Sequence, residues 1–419
     1  MANSSTTKEI RQVSGGTLHV GIDLGLEKNW AVVINERAER VDRFSFASDR
    51  GGYEYFLARV EKVRQQQQAT EIQVAMEPTN YFWKLLAQEL EEKEIVYHLV
   101  NAYTVKKHRE GNRLDRSKDD PRDAEQIAEL SRTGHYTETR LQQGAYEELR
   151  QSATLYHQTV QAIRREEQVI WGLAGQAFPE LIRVFQDLEG KTCRALLLSC
   201  ACSTSMRQMT ESDFLAKVQA AYSGKKLHSA AVRRAYHLAA TSIGAREGQR
   251  ALQLALQLHF SNLQLLQSHL TRITQAMTAC LATLPEAPYL LSVKSWKPIS
   301  AALFLAEVGD PKRYQSAAQW VKLAGIQPAP NTSGKKQRSE TPMSHQGRAR
   351  LRTLLYFTCL RLLQDDPHFA QLYSHLQRRS KNPLTRMQAI GVLMNKFLHI
   401  LWALIHNHMD YNPSFSPVI

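Results

Sequence analysis

Cysteine is scarce: the five in 419 residues, Cys193, Cys200, Cys202, Cys280 and Cys359, have neither a paired zinc spacing nor the density of a disulfide framework. They read as reduced, mostly buried thiols. No apolar leader follows Met1, and the most apolar late stretch, Gly391–Ile405, is broken by Asn395, Lys396 and His399. A soluble, unexported chain that does not enter the membrane is the expectation. Gly-x-Ser-x-Gly, a Walker loop and His-Glu-x-x-His are all missing, which leaves elbow hydrolases, nucleoside triphosphatases and zinc proteases without support. Acid is in deficit too, with 40 Asp and Glu against 53 Lys and Arg, a net charge of +13 that favours a nucleic-acid partner.

What is present suffices for two or three domains. Thr17–Gly25, Trp30–Ile34 and Val41–Ala47 read as a β-meander. A helix over Gly52–Gln66, a strand over Glu71–Glu77, a helix over Tyr81–Glu92 and a strand over Ile95–Val100 follow, so the spacing predicts a mixed sheet flanked by helices. From Tyr146 the period changes. Leu149, Ala153, Tyr156, Val160, Ile163 and Ile170 form one coiled-coil seam, and Leu252, Leu256, Leu263, Leu266, Leu270, Ile273 and Met277 a second, interrupted at His259. Such seams serve either an antiparallel pair within one chain or dimerisation. Ile182–Arg246 lies between them without a sustained period and reads as an inserted helical subdomain. After Leu284-Pro, Ala301–Val308 and Ala317–Ala324 read as short helices joined by Gly309-Asp-Pro. A polar loop over Asn331–Arg352, with six Lys/Arg and one acid, leads into an apolar helix at Leu351–Leu363. The apolar helix ending the stretch His375–His408 is expected to cover another domain or protomer.

The chemistry concentrates at Ser117-Lys-Asp-Asp-Pro-Arg-Asp-Ala124. Lys106–Arg122 holds seven Lys/Arg against four acids, a field suited to phosphate. Lys106, Lys107, Arg109, Arg113 and Lys118 are its candidate contacts. Pro121 suits a first helical turn with Asp120 as N-cap, which puts Asp120 and Asp123 near one face. Carboxylates held that close repel unless a cation neutralises them. Asp23 ends an apolar strand where Val or Ile is expected, and Glu77 ends another. If those strands are neighbours, all four acids meet at one sheet edge around one or two divalent cations. Asp119, four residues before Asp123, competes with Asp120 for the role; Asp120 is preferred because it precedes the proline. In Asn331-Thr-Ser-Gly-Lys-Lys-Gln-Arg338, Ser333 sits among Lys335, Lys336 and Arg338, with Arg348, Arg350 and Arg352 further along. A serine there is a phosphate-binding hydroxyl, a nucleophile at phosphorus, or a solvated loop residue.

Taken together these residues resemble the DEDD transposases of bacterial insertion sequences, relatives of the Piv-type DNA invertases. The resemblance rests on Gly21-Ile-Asp23-Leu-Gly, Met76-Glu77-Pro-Thr-Asn, Lys118-Asp-Asp120-Pro-Arg-Asp123-Ala, Leu305-Ala-Glu-Val-Gly-Asp310, Ala324-Gly-Ile-Gln-Pro328, Ser333-Gly and Gly347-Arg-Ala-Arg-Leu-Arg352. It covers nearly the whole chain except Ile182–Arg246. It implies an α/β plus all-α chain: a disordered tail at 1–16, a RuvC-like ribonuclease H domain at 17–145, long coiled-coil helices at 146–284, and a helical C-terminal transposase domain at 285–419. It further implies Asp23, Glu77, Asp120 and Asp123 as ligands of two Mg²⁺ ions and Ser333 as the nucleophile. Double-stranded donor and target DNA, a structured bridge RNA, a homo-oligomer from dimer to tetramer and a bacterial cytoplasmic location complete the expectation. The rival readings are a RuvC-like hydrolytic junction nuclease and a non-catalytic RNA/DNA-binding scaffold. The chain departs from the family pattern in the Ile182–Arg246 insertion and in Lys294-Ser-Trp-Lys-Pro-Ile-Ser-Ala301, which stands where a glycine-rich hairpin is usual.

Overall fold

The computed structural model describes residues 16–78, 81–112, 120–138, 140–188, 190–329, 332–333, 336–337 and 342–413. It divides into two compact units, Met1–Leu141 and Gln142–Ile419.

The first unit is built on a six-stranded sheet. Its strands are β1 (Thr17–Asp23), β2 (Lys28–Ile34), β3 (Arg40–Ala47), β4 (Glu71–Met76), β5 (Val96–Leu99) and the two-residue β6 (Thr137–Glu138), in the order β3-β2-β1-β4-β5-β6. The expected meander is there: β1 pairs antiparallel with β2, and β2 with β3. β1 also pairs in parallel with β4, and β4 with β5. Helices α1 (Arg50–Gln66), α2 (Phe82–Glu92), α3 (Ala102–Asn112) and α4 (Asp120–Arg132) complete the unit.

β1 is buried from Thr17 to Ile22 because both its faces are covered. Leu18, Val20 and Ile22 pack with Phe56 and Val60 of α1 and Leu86 of α2. The alternate residues face α4. His19 Nδ1 lies 3.5 Å from Ser131 Oγ, and a β-carbon added at Gly21 would fall 2.1 Å from the Ala124 carbonyl oxygen and 2.2 Å from the Ala128 nitrogen. Only glycine lets the helix lie so low on the strand.

The second unit is helical. Its two long helices, α5 (Gly144–Ala177) and α10 (Gln249–Ala282), run antiparallel. Leu149 and Ala153 near the start of α5 share a core with Met277 and Leu281 near the end of α10, while Ile163, Ile170 and Ala174 share another with Leu252, Leu256 and Leu263. The two apolar seams therefore bury one another within a single chain. His259, the interruption, is hydrogen-bonded through Nδ1 to Glu166 at 2.6 Å.

Between the long helices the chain forms α6 (Lys191–Ser199), α7 (Ser203–Arg207), α8 (Glu211–Ala221) and α9 (Ser229–Ala239). Phe178, Leu196, Met206, Phe214, Val218 and Val232 give this stretch a core continuous with one end of the long pair. All five cysteines are free, and four are buried.

The remainder comprises α11 (Ala287–Leu291), α12 (Pro298–Val308), α13 (Ala317–Ala324), a minimal hairpin of β7 (Thr332–Ser333) and β8 (Lys336–Gln337), α14 (Ala349–Asp365), α15 (Pro367–Arg378) and α16 (Arg386–His406). By length and composition α16 is apolar enough to cross a membrane, but 56% of its most apolar 18-residue stretch is buried in the protein. Ile390, Leu393, Phe397, Leu398 and Leu401 are fully enclosed. The expectation that this helix covers another domain or protomer is corrected: it is the core of its own unit. Lys294–Ala301 is likewise an anchor, with Trp296 donating to Thr358 Oγ1 at 3.0 Å and Ser295 to Asp365 Oδ2 at 3.0 Å.

Candidate active site

Three rows of backbone geometry place the acids. Asp23 is the last residue of β1 and has the same parity as His19 and Gly21, the residues on the α4 face. Along α4 the strand meets Ser131 at His19, then Ala128 and Ala124 at Gly21, so it advances toward the helix start as it advances toward Asp23. In the parallel ladder Ile22 is opposite Met76, which sets Asp23 level with Glu77. Ala75, two residues before Glu77, packs with Ile127 and Leu130 of α4. The ends of β1 and β4 and the first turn of α4 thus lie at one edge of the sheet.

That turn holds Asp120 and Asp123, where carboxylates also complement the positive end of the helix dipole. The helix includes Asp120 instead of starting after it, so this residue opens α4 as its first member and is not its cap. Asp120 is exposed; Asp23, Glu77 and Asp123 are half-buried. The donors, all carboxylate oxygens, suit a hard divalent cation such as Mg²⁺. Among the described residues no group of three His, Cys, Asp or Glu is placed to hold a metal ion. The fold brings the positions to one edge without closing the side chains on a common point. Asp119, Arg113 and Lys118 lie outside the described residues; Lys106 and Lys107 are exposed on α3, which also carries Arg109.

Ser333 is on β7, in register with Lys336 of β8. Lys335 and Arg338 lie outside the described residues. The stem below the hairpin is tied by a bridge between Pro328 and Met343 and by the Ala329 N–H donating to Pro342 O at 2.8 Å. Below that, two sequence motifs close on each other. Gly325 has φ +67°, and a β-carbon on Gly347 would meet the Gly325 nitrogen and the Leu323 oxygen, both at 2.5 Å. Arg348 N–H donates to Leu323 O at 2.7 Å.

Two of the three arginines expected on nucleic acid are engaged here. Arg352 Nη1 donates to Ala324 O at 2.8 Å, and Arg348 donates to Glu307 O and pairs with the Glu307 carboxylate at 3.9 Å. Burial, with Arg150 nearby, holds the Arg348 pKa below the usual guanidinium range. Arg350 is exposed. Sequence reasoning missed this clamping role; the glycines at 325 and 347 were the available signal.

The comparisons with known proteins fall on these elements. A model of IS110-type DEDD transposases, described as a transposase, matches residues 20–179, and a model described as the transposase IS116/IS110/IS902 family matches residues 287–374. The first match takes in the four acids and the second takes in Ser333. The chain belongs to the IS110 family of insertion-sequence transposases. Over 130 residues it is also 28% identical to the insertion element IS900 uncharacterized 42 kDa protein of Mycobacterium paratuberculosis, a stretch that is 31% of this chain and 32% of that protein. The match spans about a third of that relative's length.

Proposed function

We propose that the chain is a DNA recombinase that excises and inserts its own element by cutting and rejoining strands. The observation that carries this reading is the arrival of β1, β4 and the start of α4 at one sheet edge with an acid on each. A sheet of order 3-2-1-4-5, antiparallel through its first three strands and parallel beyond, supports a RuvC-like ribonuclease H domain at 17–145. In this reading 146–284 is a helical scaffold and 285–419 carries the nucleophile.

Asp23, Glu77, Asp120 and Asp123 would hold Mg²⁺, which supplies charge neutralisation at the phosphodiester. Ser333 Oγ attacks phosphorus. The serine proton is lost, the bond from phosphorus to one sugar oxygen breaks, and that oxygen leaves as a hydroxyl. The serine–DNA ester keeps the bond energy, so a hydroxyl on another strand can reverse the step and reseal without an external energy source. Lys335, Lys336 and Arg338 would stabilise charge on phosphorus. Arg350, Lys106, Lys107, Arg109, Arg113 and Lys118 would hold backbone phosphates, with Arg348 and Arg352 keeping the serine hairpin in place. Donor and target duplexes, a structured bridge RNA that guides pairing, and a dimer-to-tetramer assembly in the bacterial cytoplasm belong to the same proposal.

The test is to incubate the purified protein with element-end DNA and Mg²⁺, then denature the reaction. A covalent protein–DNA adduct that is lost in Ser333→Ala and in Asp120→Ala, with DNA binding retained, supports the reading. Free cut ends without adduct in Ser333→Ala hand the case to a hydrolytic nuclease. Recombination that survives complete RNA digestion removes the guide.

A further inference from the structure

The Ile182–Arg246 stretch lies between the two matched regions and has no part in the chemistry above. It is basic, with ten Lys/Arg against four Asp/Glu. A cavity of about 830 Å³ opens where it meets the start of α10. Lys217 of α8, Arg246 and Arg250 line it, and Glu247 is the one acid among the lining residues. Among the described residues no ion pair or hydrogen bond engages any of these three cationic head groups. Three like charges facing one space repel, and an anion placed there relieves them.

The same space receives the N-terminus of α10, a helix of 34 residues. Its cap, Gly248, has φ +69° and offers no side chain to the first-turn N–H groups, and that turn contains no acid. Uncapped N–H groups and the helix dipole add to the positive field. The floor is firmly built. Gln253 accepts from Ala201 N–H at 2.8 Å and donates to Leu197 O and Leu198 O, each at 2.9 Å, while Gln249 accepts from Ser205 Oγ at 3.0 Å. Burial pushes the Cys200 thiol there up to about 11, so it stays neutral and adds no opposing charge. One wall is apolar, with Leu254 more than half exposed, and Gln208 and Gln257 add carboxamides.

We propose that this cavity binds one nucleotide of a single-stranded segment of nucleic acid. The phosphate sits on Lys217, Arg246, Arg250 and the α10 N-terminus. The base lies against Leu254 and presents its edge to Gln208 and Gln257. A volume of this size accepts a nucleotide unit and is more than a free phosphate requires. A base within an intact duplex cannot enter it, whereas an unstacked base can. The inference rests on the nucleic-acid reading above, but not on Ser333 or on the carboxylates.

The test uses the full chain and single-stranded RNA and DNA oligonucleotides of one sequence, with binding followed by fluorescence anisotropy across a salt series. Lys217→Ala/Arg246→Ala/Arg250→Ala is expected to bind about tenfold or more weakly, with the salt slope reduced by roughly 0.7, the value for one lost phosphate contact on a single strand. Arg246→Glu alone should act in the same direction. The unfolding midpoint should not move, because these side chains are exposed and unpaired. A loss seen with RNA assigns the site to an RNA loop, and a loss seen with DNA assigns it to a displaced DNA strand. Wild-type affinity of both variants for both oligonucleotides overturns the proposal, as does a loss confined to a duplex control made by annealing the DNA oligonucleotide to its complement. If no serine–DNA adduct ever forms but the triple variant still loses single-strand affinity, the recombinase reading fails and the cavity stands.

Discussion

Gly21 of β1 and Ala124 of α4 approach so closely that a β-carbon on residue 21 would lie 2.1 Å from the Ala124 carbonyl oxygen. The obstructing atoms are backbone, which cannot rotate away. Gly21→Ala must therefore lift α4, and with it Asp120 and Asp123, off the strand that ends in Asp23. We expect a loss of about 3 kcal/mol or more from overpacking. Urea unfolding of the variant measures it, and a midpoint equal to wild type would show that the helix yields freely.

The long helices separate two kinds of leucine. Leu263 is 2% exposed within the α5–α10 core, whereas Leu258 and Leu265 are 57% and 54% exposed on α10. Leu263→Asp buries an unpaired charge and should cost about 3–5 kcal/mol of stability. Leu258→Asp/Leu265→Asp should fold normally and, if these faces join protomers, lower the oligomeric state in light scattering. An unchanged assembly in that variant places the oligomer contact elsewhere.

Arg352 and Arg350 are two residues apart and should behave oppositely. Arg352→Met removes a charged donor from Ala324 O and should cost about 1–2 kcal/mol. It should also speed hydrogen exchange at the Arg348 N–H. Arg350→Ala should leave unfolding unchanged and weaken DNA binding in a salt-dependent manner. Equal stability losses in both would mean that Arg350, too, belongs to the clamp.

His19 is 2% exposed between β1 and α4, and burial, reinforced by Arg132, lowers its pKa from 6.5 to about 4. The folded state holds it neutral, while the unfolded chain takes up a proton below about pH 6.5. Its contribution to stability is complete above pH 6.5 and is lost as pH falls toward 4. The expected loss is about 1–3 kcal/mol. In His19→Gln that part of the acid slope should vanish from melting temperatures measured between pH 7 and 4. An identical slope in the variant would assign the acid sensitivity to other groups.

Local pattern alone determined much of this protein. The apolar runs at Thr17–Asp23 and Glu71–Met76, the Asp-Pro start of α4 and the period of both long helices each follow from neighbours within a turn or two, and each element formed within a few residues of its expected bounds. The carboxylates were legible as candidates because an acid ending an apolar strand conflicts with its own surroundings. Their arrival at one edge was not legible. It depends on β1 pairing in parallel with β4 and on α4 lying against Gly21, contacts between residues some fifty and a hundred positions apart. Arg348, Arg350 and Arg352 looked alike in sequence because charge is local and burial is not; packing against α12 and α13 alone sets two of them on carbonyl oxygens and leaves the third in solvent. The seams likewise fixed that an apolar stripe would be covered, but not by what. The tertiary structure decided that, because α5 and α10 are tethered ends of one chain and meet at far higher effective concentration than two chains do.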